Sequence, residues 1–270
     1  MTLPPSGIKW SGGKRSSAKQ ITGLLPASER YFEPFFGGGS VLFCRDDKFS
    51  FASDVYGPLI DFWVKVRRSP EELLAHYEEQ WNCLQKDLPG HYYRVRERFN
   101  ANPTGEDLCF LSRTCVNGII RFNSDGQFNN SFHLSRRGMT PAKLRQAIML
   151  WSERLKKVEI SKRDYRETLG DIKKGDLVYL DPPYGGSSNR YISDINIAEL
   201  VDYLEKLNSK GARWALSFDG SRGGAVYSYQ IPRELYKNEF GVSSGISAVT
   251  NVLSGEKHHV VEKLYTNFSS

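Results

Sequence analysis

A short apolar run that ends in Asp181-Pro182-Pro183-Tyr184 constrains the fold of this chain most strongly. Residues Asp176 to Leu180 precede it and follow the turn-forming Lys173-Lys174-Gly175. Such a run is typical of a buried strand that is covered on both faces in a parallel sheet. The two prolines exclude helix and central strand immediately afterwards. We therefore predict an α/β fold with this acidic turn at the carboxyl end of a strand, where open α/β sheets bind ligands.

The same tetrapeptide suits chemistry on an amino group attached to a flat ring. Such an amine is a poor nucleophile because its lone pair is delocalised into the ring. If Asp181 and the Pro182 carbonyl each accept one N–H, the lone pair is freed to attack an electrophile. Tyr184 would stack on the ring and contribute roughly 1–3 kcal/mol. The alternative is a plain strand-end turn with a solvent-facing aspartate, since short motifs also occur by chance.

Composition indicates a folded protein with an anionic partner. The chain has 270 residues, enough for one large core or a core with an inserted subdomain. Hydrophobic residues make up 39% and the formal net charge is +6, which argues against disorder and favours an anionic partner. No apolar stretch approaches a membrane span, and no signal-peptide core is present at the start. The four cysteines lack metal-binding spacing, so we predict reduced thiols, no metal site and a cytoplasmic protein.

Two segments near the start suit a nucleotide-bearing ligand. Phe35, Gly37 and Gly39 form a glycine turn between a predicted strand at Arg30 to Phe32 and a predicted helix. A second predicted strand, Ser50 to Asp54, ends in an acid of the kind that commonly holds ribose hydroxyls. Lys9-Trp10-Ser11-Gly12-Gly13-Lys14 lacks the phosphate-loop pattern, and a flexible basic terminus is its alternative interpretation.

Residues 63–151 differ in character and are predicted to be an insertion, with 1–62 and 152–270 forming the catalytic core. Helical spacing recurs at Glu71 to Tyr77, Tyr92 to Phe99 and Asp107 to Val116. An Asp125-Gly126 turn between aromatic and β-branched residues then predicts a β-hairpin. Its side chains include types that contact base edges, and basic residues that could contact phosphate follow it: Arg121, Asn123, Asn129, Arg136 and Arg137. A solvated loop is the alternative.

The remaining chain returns to an α/β pattern. Strands are predicted at Lys156 to Ser161 and Arg213 to Asp219, and a helix at Ala198 to Ser209. Val260 to Tyr265 is predicted to be a final edge strand.

Taken in order, these motifs resemble those of the Dam-type (alpha group) DNA adenine-N6 methyltransferases. The resemblance rests on Lys9-Trp10…Lys14, Phe35-x-Gly37-x-Gly39, Asp54, Asn117-Gly118…Arg121-Phe122-Asn123 and Asp181-Pro-Pro-Tyr184, and it runs nearly end to end. It implies a Rossmann-like S-adenosylmethionine-dependent methyltransferase sheet with an inserted, mostly helical target-recognition subdomain that carries the hairpin. It also implies a prokaryotic or phage-type protein that acts on duplex DNA as a monomer or weak dimer, with a restriction endonuclease as a possible partner.

The resemblance assigns expected roles to individual residues. It implies catalysis by Asp181, Pro182 and Tyr184 on a flipped-out adenine. The implied cofactor-binding residues are Trp10, Lys14, Phe35, Gly37, Gly39, Asp54, Asp164, Tyr165 and Asp181. For DNA, the family counterpart of Arg121 contacts a guanine and that of Lys9 reaches another base. Asn123, Asn129, Arg136 and Arg137 complete the predicted DNA-binding set.

The target sequence and two other activities stay open. GATC-methylating relatives often carry Phe-Asn-Val-Pro after the hairpin turn, whereas this chain has Phe128-Asn129-Asn130-Ser131. An RNA adenine methyltransferase would share the tetrapeptide, and a catalytically silent DNA-binding relative would keep only the fold. A methyltransferase that acts on a protein amide usually carries Asn in place of Asp181, which disfavours that activity.

Overall fold

The computed structural model describes residues 6–135, 137–183, 195–222, 225–227, 231–246 and 259–269. Within these ranges the chain forms one mixed sheet and eight α-helices. The strands are β1 (Arg30–Glu33), β2 (Phe49–Asp54), β3 (Val158–Lys162), β4 (Leu177–Leu180), β5 (Arg213–Arg222), β6 (Ala225–Tyr227), β7 (Asn238–Ile246) and β8 (His259–Thr266). The helices are α1 (Ala18–Leu24), α2 (Ser40–Phe43), α3 (Gly57–Arg68), α4 (Pro70–Lys86), α5 (Gly90–Ala101), α6 (Gly105–Thr114), α7 (Pro141–Leu155) and α8 (Ile197–Ser209).

The strand order places the predicted acidic turn at the middle of the sheet. The order is β3-β2-β1-β4-β5-β8-β7, with β6 paired to β5. The first five strands in this order are parallel, and β8 and β7 are antiparallel to their neighbours. Strands β2 and β3 follow β1 on one side of it, and β4 and β5 then lie on its other side. The gap between the carboxyl ends of β1 and β4 is therefore the switch point where such sheets bind ligands.

The strand β4 is buried on both faces, as its apolar run predicts. All four of its residues are buried. Leu177 and Tyr179 belong to one hydrophobic cluster, and Val178 and Leu180 belong to the cluster on the opposite face. Burial of both faces removes the polar alternation that a half-exposed strand would show. The α/β fold that the sequence predicts is confirmed.

The region between β2 and β3 is mostly helical, and its helices pack on one another and on the sheet. Helix α6 is buried along its length from Asp107 to Thr114. Thr104 begins this helix by accepting the Asp107 N–H at 3.3 Å. The helices predicted within the insertion are confirmed as α4, α5 and α6.

A chain reversal at Asp125-Gly126 forms the predicted hairpin with a very short ladder. One bridge joins Phe122 to Phe128, and the Asn123 N–H donates to the Gln127 carbonyl at 2.9 Å. The N–H and carbonyl of Phe128 point away from this ladder, and the Asn100 side chain of α5 bonds both, at 2.8 and 3.1 Å. A side chain therefore takes the place of a third strand.

The predicted strand at Val260 to Tyr265 is confirmed as β8, but its predicted position at the edge of the sheet is wrong. Strand β8 lies between β5 and β7, and β7 is the edge. Strand β7 has two Ser and two Gly among its nine residues, and it alternates between inward residues such as Val242 and exposed ones such as Glu239. This half-exposed pattern is common at an antiparallel edge. Its apolar signal is weak, and no strand was predicted from the sequence at β7.

The boundaries at 62/63 and 151/152 stay predictions. Helix α3 runs across the first boundary, and α7 contains residues on both sides of the second. Trp63 of α3 and Trp151 of α7 pack with ring centroids 4.7 Å apart.

Candidate active site

A cavity of about 340 Å³ opens at the switch point between β1 and β4. Its size lies within the range of small-molecule and cofactor sites. All nine residues predicted to bind a cofactor line it, although they come from five separate segments of the chain. They are Trp10, Lys14, Phe35, Gly37, Gly39, Asp54, Asp164, Tyr165 and Asp181. Pro182 lines the same cavity.

Asp181 is paired with a buried lysine from the N-terminal segment. The Lys14 Nζ lies 2.7 Å from Asp181 Oδ1, and the Lys14 side chain is only 5% exposed. A second carboxylate, Glu262 of β8, lies 3.3 Å from the same nitrogen. Burial acts to lower the pKa of Lys14, but the two carboxylates outweigh it and the pKa is raised. Lys14 is therefore a permanent cation at the floor of the cavity.

The glycine turn is bonded directly to the acid at the end of β2. Asp54 accepts the Gly37 N–H at 3.1 Å and the Tyr56 N–H at 3.0 Å. Gly37 has φ +47°, and a Cβ there would lie 3.0 Å from Trp10. Glycine is required here by both its conformation and the close approach of the indole. Burial raises the pKa of Asp54 despite these two N–H donors.

Aromatic rings form another part of the cavity wall. Phe35 and Tyr165 pack with ring centroids 5.0 Å apart. Asp164 accepts the Arg166 N–H at 2.9 Å and pairs with the Arg166 guanidinium at 2.7 Å. Partial burial acts to raise the pKa of Asp164, but its bonds from Arg166 outweigh burial and lower it. These residues give the cavity an apolar aromatic surface beside a carboxylate, which suits a heteroaromatic ring with polar edges.

Glu33 is a cavity residue that the motif analysis missed. It ends β1, is 3% exposed, and accepts the Tyr31 hydroxyl at 2.7 Å. Burial raises its pKa to about 8, even though the Tyr31 bond acts in the opposite direction. The sequence did contain a signal for Glu33, because this acid follows a predicted strand and precedes the glycine turn.

The predicted hairpin reaches the cavity through an aromatic contact that no motif indicated. Phe122 lines the cavity, and its ring meets Tyr56 edge-on with centroids 5.5 Å apart. Tyr56 in turn packs against Trp10 at 5.8 Å. One wall of the cavity is thus built from the hairpin, the segment after β2 and the N-terminal segment.

Five of the predicted DNA-binding residues lie on the hairpin, at its base or on the loop that follows it. Arg121 and Asn129 are joined on the hairpin, where Arg121 Nε donates to Asn129 Oδ1 at 2.8 Å. The Asn123 Oδ1 accepts the N–H groups of Asp125 and Gln127, so this side chain shapes the turn. Lys9 packs against Gly118 at the base of the hairpin, where a Cβ would overlap the lysine side chain. Arg137 is exposed on the following loop.

Two predicted site residues lie outside the described part of the chain. Tyr184 was predicted to stack on the substrate ring, and Arg136 was predicted to bind DNA. Both assignments stay predictions.

The arrangement unites an acidic turn, a glycine turn, a strand-end acid and a basic hairpin, and comparison with known proteins identifies its family. A family model described as D12 class N6 adenine-specific DNA methyltransferase matches residues 10–267. The chain belongs to the D12 class of N6 adenine-specific DNA methyltransferases.

Individual relatives of this D12-class chain are similar at moderate identity. The retron Ec67 DNA adenine methylase of Escherichia coli is 26% identical over 193 residues, which is 69% of this chain and 66% of that enzyme. The type II methyltransferase M.MjaIII of Methanocaldococcus jannaschii is 31% identical over 241 residues, covering 78% and 82%. The type II methyltransferase M1.LlaDCHI of Lactococcus lactis is 26% identical over 280 residues, covering 97% and 95%. The chain therefore spans about two thirds of the first relative and nearly all of the third.

Among the described residues, every helix is too short or too polar to cross a bilayer.

Proposed function

We propose that this D12-class protein transfers a methyl group from S-adenosylmethionine to the N6 amine of an adenine in duplex DNA. The observation that carries the proposal is the position of Asp181. It leaves a parallel strand at the switch point, beside Lys14, in the same cavity as every predicted cofactor residue. Family membership supports the reaction, and the cavity supports the cofactor.

The residues of the cavity fit this cofactor. Aromatic walls at Phe35 and Tyr165 suit an adenine ring, and Asp54 retains carboxylate lone pairs for ribose hydroxyls. The Gly37 turn, bonded to Asp54 and packed against the Trp10 indole, lines the same cavity. When bound, S-adenosylmethionine supplies a methyl group on a positively charged sulfonium, which is a good leaving group.

The chain's own groups would prepare the adenine for attack. The target base leaves the duplex at a cost of a few kcal/mol. Asp181 and the Pro182 carbonyl would each accept one N–H hydrogen bond from the amine, which frees the nitrogen lone pair, and the methylated nitrogen would then release one proton. Holding the amine in line with the methyl group depends mainly on proximity and orientation, and these can lower a barrier by roughly 7–11 kcal/mol.

The test is methyl transfer to DNA by the purified chain and by Asp181→Ala. The substrates are duplex DNA, the single strands and an RNA duplex, with S-adenosylmethionine labelled in its methyl group. We expect labelling of duplex DNA, and a loss of at least about 100-fold in Asp181→Ala, because the amine loses its acceptor. DNA binding should stay within about twofold, since Asp181 lies in the cavity.

Asp202→Ala is the matched control, because Asp202 is an exposed acid on α8 that pairs with Lys206. Near-normal turnover by Asp181→Ala would remove the carboxylate from the mechanism. Labelling of RNA in preference to DNA would favour the RNA methyltransferase, and binding of DNA without labelling would favour the silent relative. A cognate restriction endonuclease and a monomeric or weakly dimeric state stay predictions.

A further inference from the structure

The proposed mechanism leaves one charged contact at the cavity floor without a role. Lys14 lies between two carboxylates, Asp181 at 2.7 Å and Glu262 at 3.3 Å. Asp181 lines the cavity, whereas Glu262 contacts Lys14 from strand β8 and is not among the cavity-lining residues. Its side chain is 17% exposed. The Glu262 contact is a charge pair without the geometry of a hydrogen bond.

The second carboxylate changes the charge of the cavity floor. Lys14 and Asp181 alone would form a neutral pair. With Glu262 the formal charges of the three side chains sum to −1. Glu33, another acid that lines the cavity, is mostly protonated at neutral pH because burial raises its pKa to about 8. In a partly buried site the effective dielectric is lower than in bulk water, so one unit of charge acts over several ångströms with less screening.

The methyl donor and its product differ by one positive charge. The donor has a sulfonium and the product, S-adenosylhomocysteine, has a neutral thioether in the same place. A net negative floor therefore favours the donor over the product. A neutral floor would lose most of that preference.

We propose that Glu262 is a positioning residue that acts through Lys14 and makes the site prefer the sulfonium donor over its thioether product. This inference rests on the proposed function, because it requires S-adenosylmethionine to bind in this cavity. When Asp181 binds the adenine amine, Glu262 still pairs with Lys14 from strand β8. Lys14 therefore keeps its position, and the Asp181 oxygen that does not pair with Lys14 stays available to accept the amine N–H.

A purely structural role for Glu262 predicts a different result. If the side chain only packs β8 against the N-terminal segment, its replacement would disturb the cavity for both ligands equally. Glutamine has nearly the same shape as glutamate and lacks the charge. Glu262→Gln therefore separates charge from packing.

The experiment measures dissociation constants for S-adenosylmethionine and S-adenosylhomocysteine by calorimetry, without DNA. We expect Glu262→Gln to weaken donor binding about fivefold while product binding changes less than about twofold. Glu262→Asp keeps the charge, so its donor-to-product ratio should stay within about twofold of wild type. If Glu262→Gln fails to fold, Glu262→Asp still tests the inference. This variant keeps the charge, so a loss of the preference for donor over product would contradict the inference.

Glu239→Gln is the control, since Glu239 lies on the adjacent strand β7. Its carboxylate pairs with Lys263 at an N–O distance of 2.7 Å, and it does not line the cavity. The ratio of its dissociation constants for donor and product should equal that of wild type. Equal weakening of both ligands in Glu262→Gln, or an unchanged ratio, would overturn the inference. If wild type binds neither ligand, the proposed function itself fails, so the two failures are distinguishable.

Discussion

At the scale of single residues, Glu33 connects burial to a pH dependence of stability. Its unperturbed pKa is 4.5, and burial raises the folded-state pKa to about 8. The folded protein therefore binds a proton more tightly than the unfolded chain does, so the free energy of unfolding falls as pH rises from about 4.5 through 8. Glu33→Gln cannot ionise and its amide oxygen can still accept the Tyr31 hydroxyl. We expect this variant to be more stable than wild type at pH 8, by on the order of 2 kcal/mol.

Urea unfolding at pH 5, 7 and 9 without cofactor tests this prediction. The curve of Glu33→Gln should be flatter than that of wild type across this range. Glu29→Gln is the control, because Glu29 is an exposed acid that pairs with Lys48. Parallel curves for wild type and Glu33→Gln would show that Glu33 is ionised in the folded protein at neutral pH.

At the scale of elements, the hairpin presents Arg121 in a defined orientation. Its guanidinium donates to Asn129 Oδ1 at 2.8 Å and to the Asn129 carbonyl at 3.3 Å. The turn itself is shaped by Asn123. An arginine held in this way can contact guanine with two hydrogen bonds, which discriminates between bases by about 1–3 kcal/mol. We therefore expect Arg121→Ala to relax specificity at one position of the target, measured as methylation of duplexes with single-base changes around the adenine.

The control for the hairpin is Arg137→Ala. Arg137 is exposed on the next loop and is predicted to contact phosphate, so its loss should weaken methylation of every duplex alike. Equal loss on all duplexes in Arg121→Ala would show that Arg121 contacts the DNA backbone. The same set of duplexes would establish whether GATC is the target, given Asn130-Ser131 after the hairpin.

At the scale of the whole molecule, Arg113 joins the helical insertion to the segment that carries Trp10 and Lys14. Its buried guanidinium, on α6, donates to the carbonyls of Ser6 and Gly7, the latter at 2.7 Å. Arg113→Met would leave these carbonyls without their donor and loosen the segment. We expect the free energy of unfolding to fall by about 1–3 kcal/mol. Affinity for S-adenosylmethionine should also fall, measured by calorimetry at a temperature where the variant is folded.

Arg145→Met is the matched control, since Arg145 forms an exposed pair with Glu71 and should contribute less than about 1 kcal/mol. A loss of stability in Arg113→Met with unchanged cofactor affinity would mean that Arg113 stabilises the insertion without positioning Trp10 and Lys14.

Local sequence patterns were sufficient for much of the fold. The apolar run before Asp181 predicted β4, and the glycine turn with Asp54 predicted the strand–turn arrangement that β1 and β2 adopt. These signals act over a few residues, because proline and glycine restrict or release the backbone where they stand. The order of the motifs was sufficient for the family. Their combination also indicated which residues line the cavity.

Tertiary structure alone decided the long-range contacts. Glu262 reaches Lys14 because β8 inserts between β5 and β7, an order that the apolar pattern of β8 does not contain. Phe122 enters the cavity wall because Tyr56 and the hairpin meet there, although many residues separate them in sequence. The pKa of Glu33 is raised because the surrounding chain removes water from it. Burial and charge pairing depend on which distant segments meet, and strand order and helix packing determine that only when the whole chain has folded.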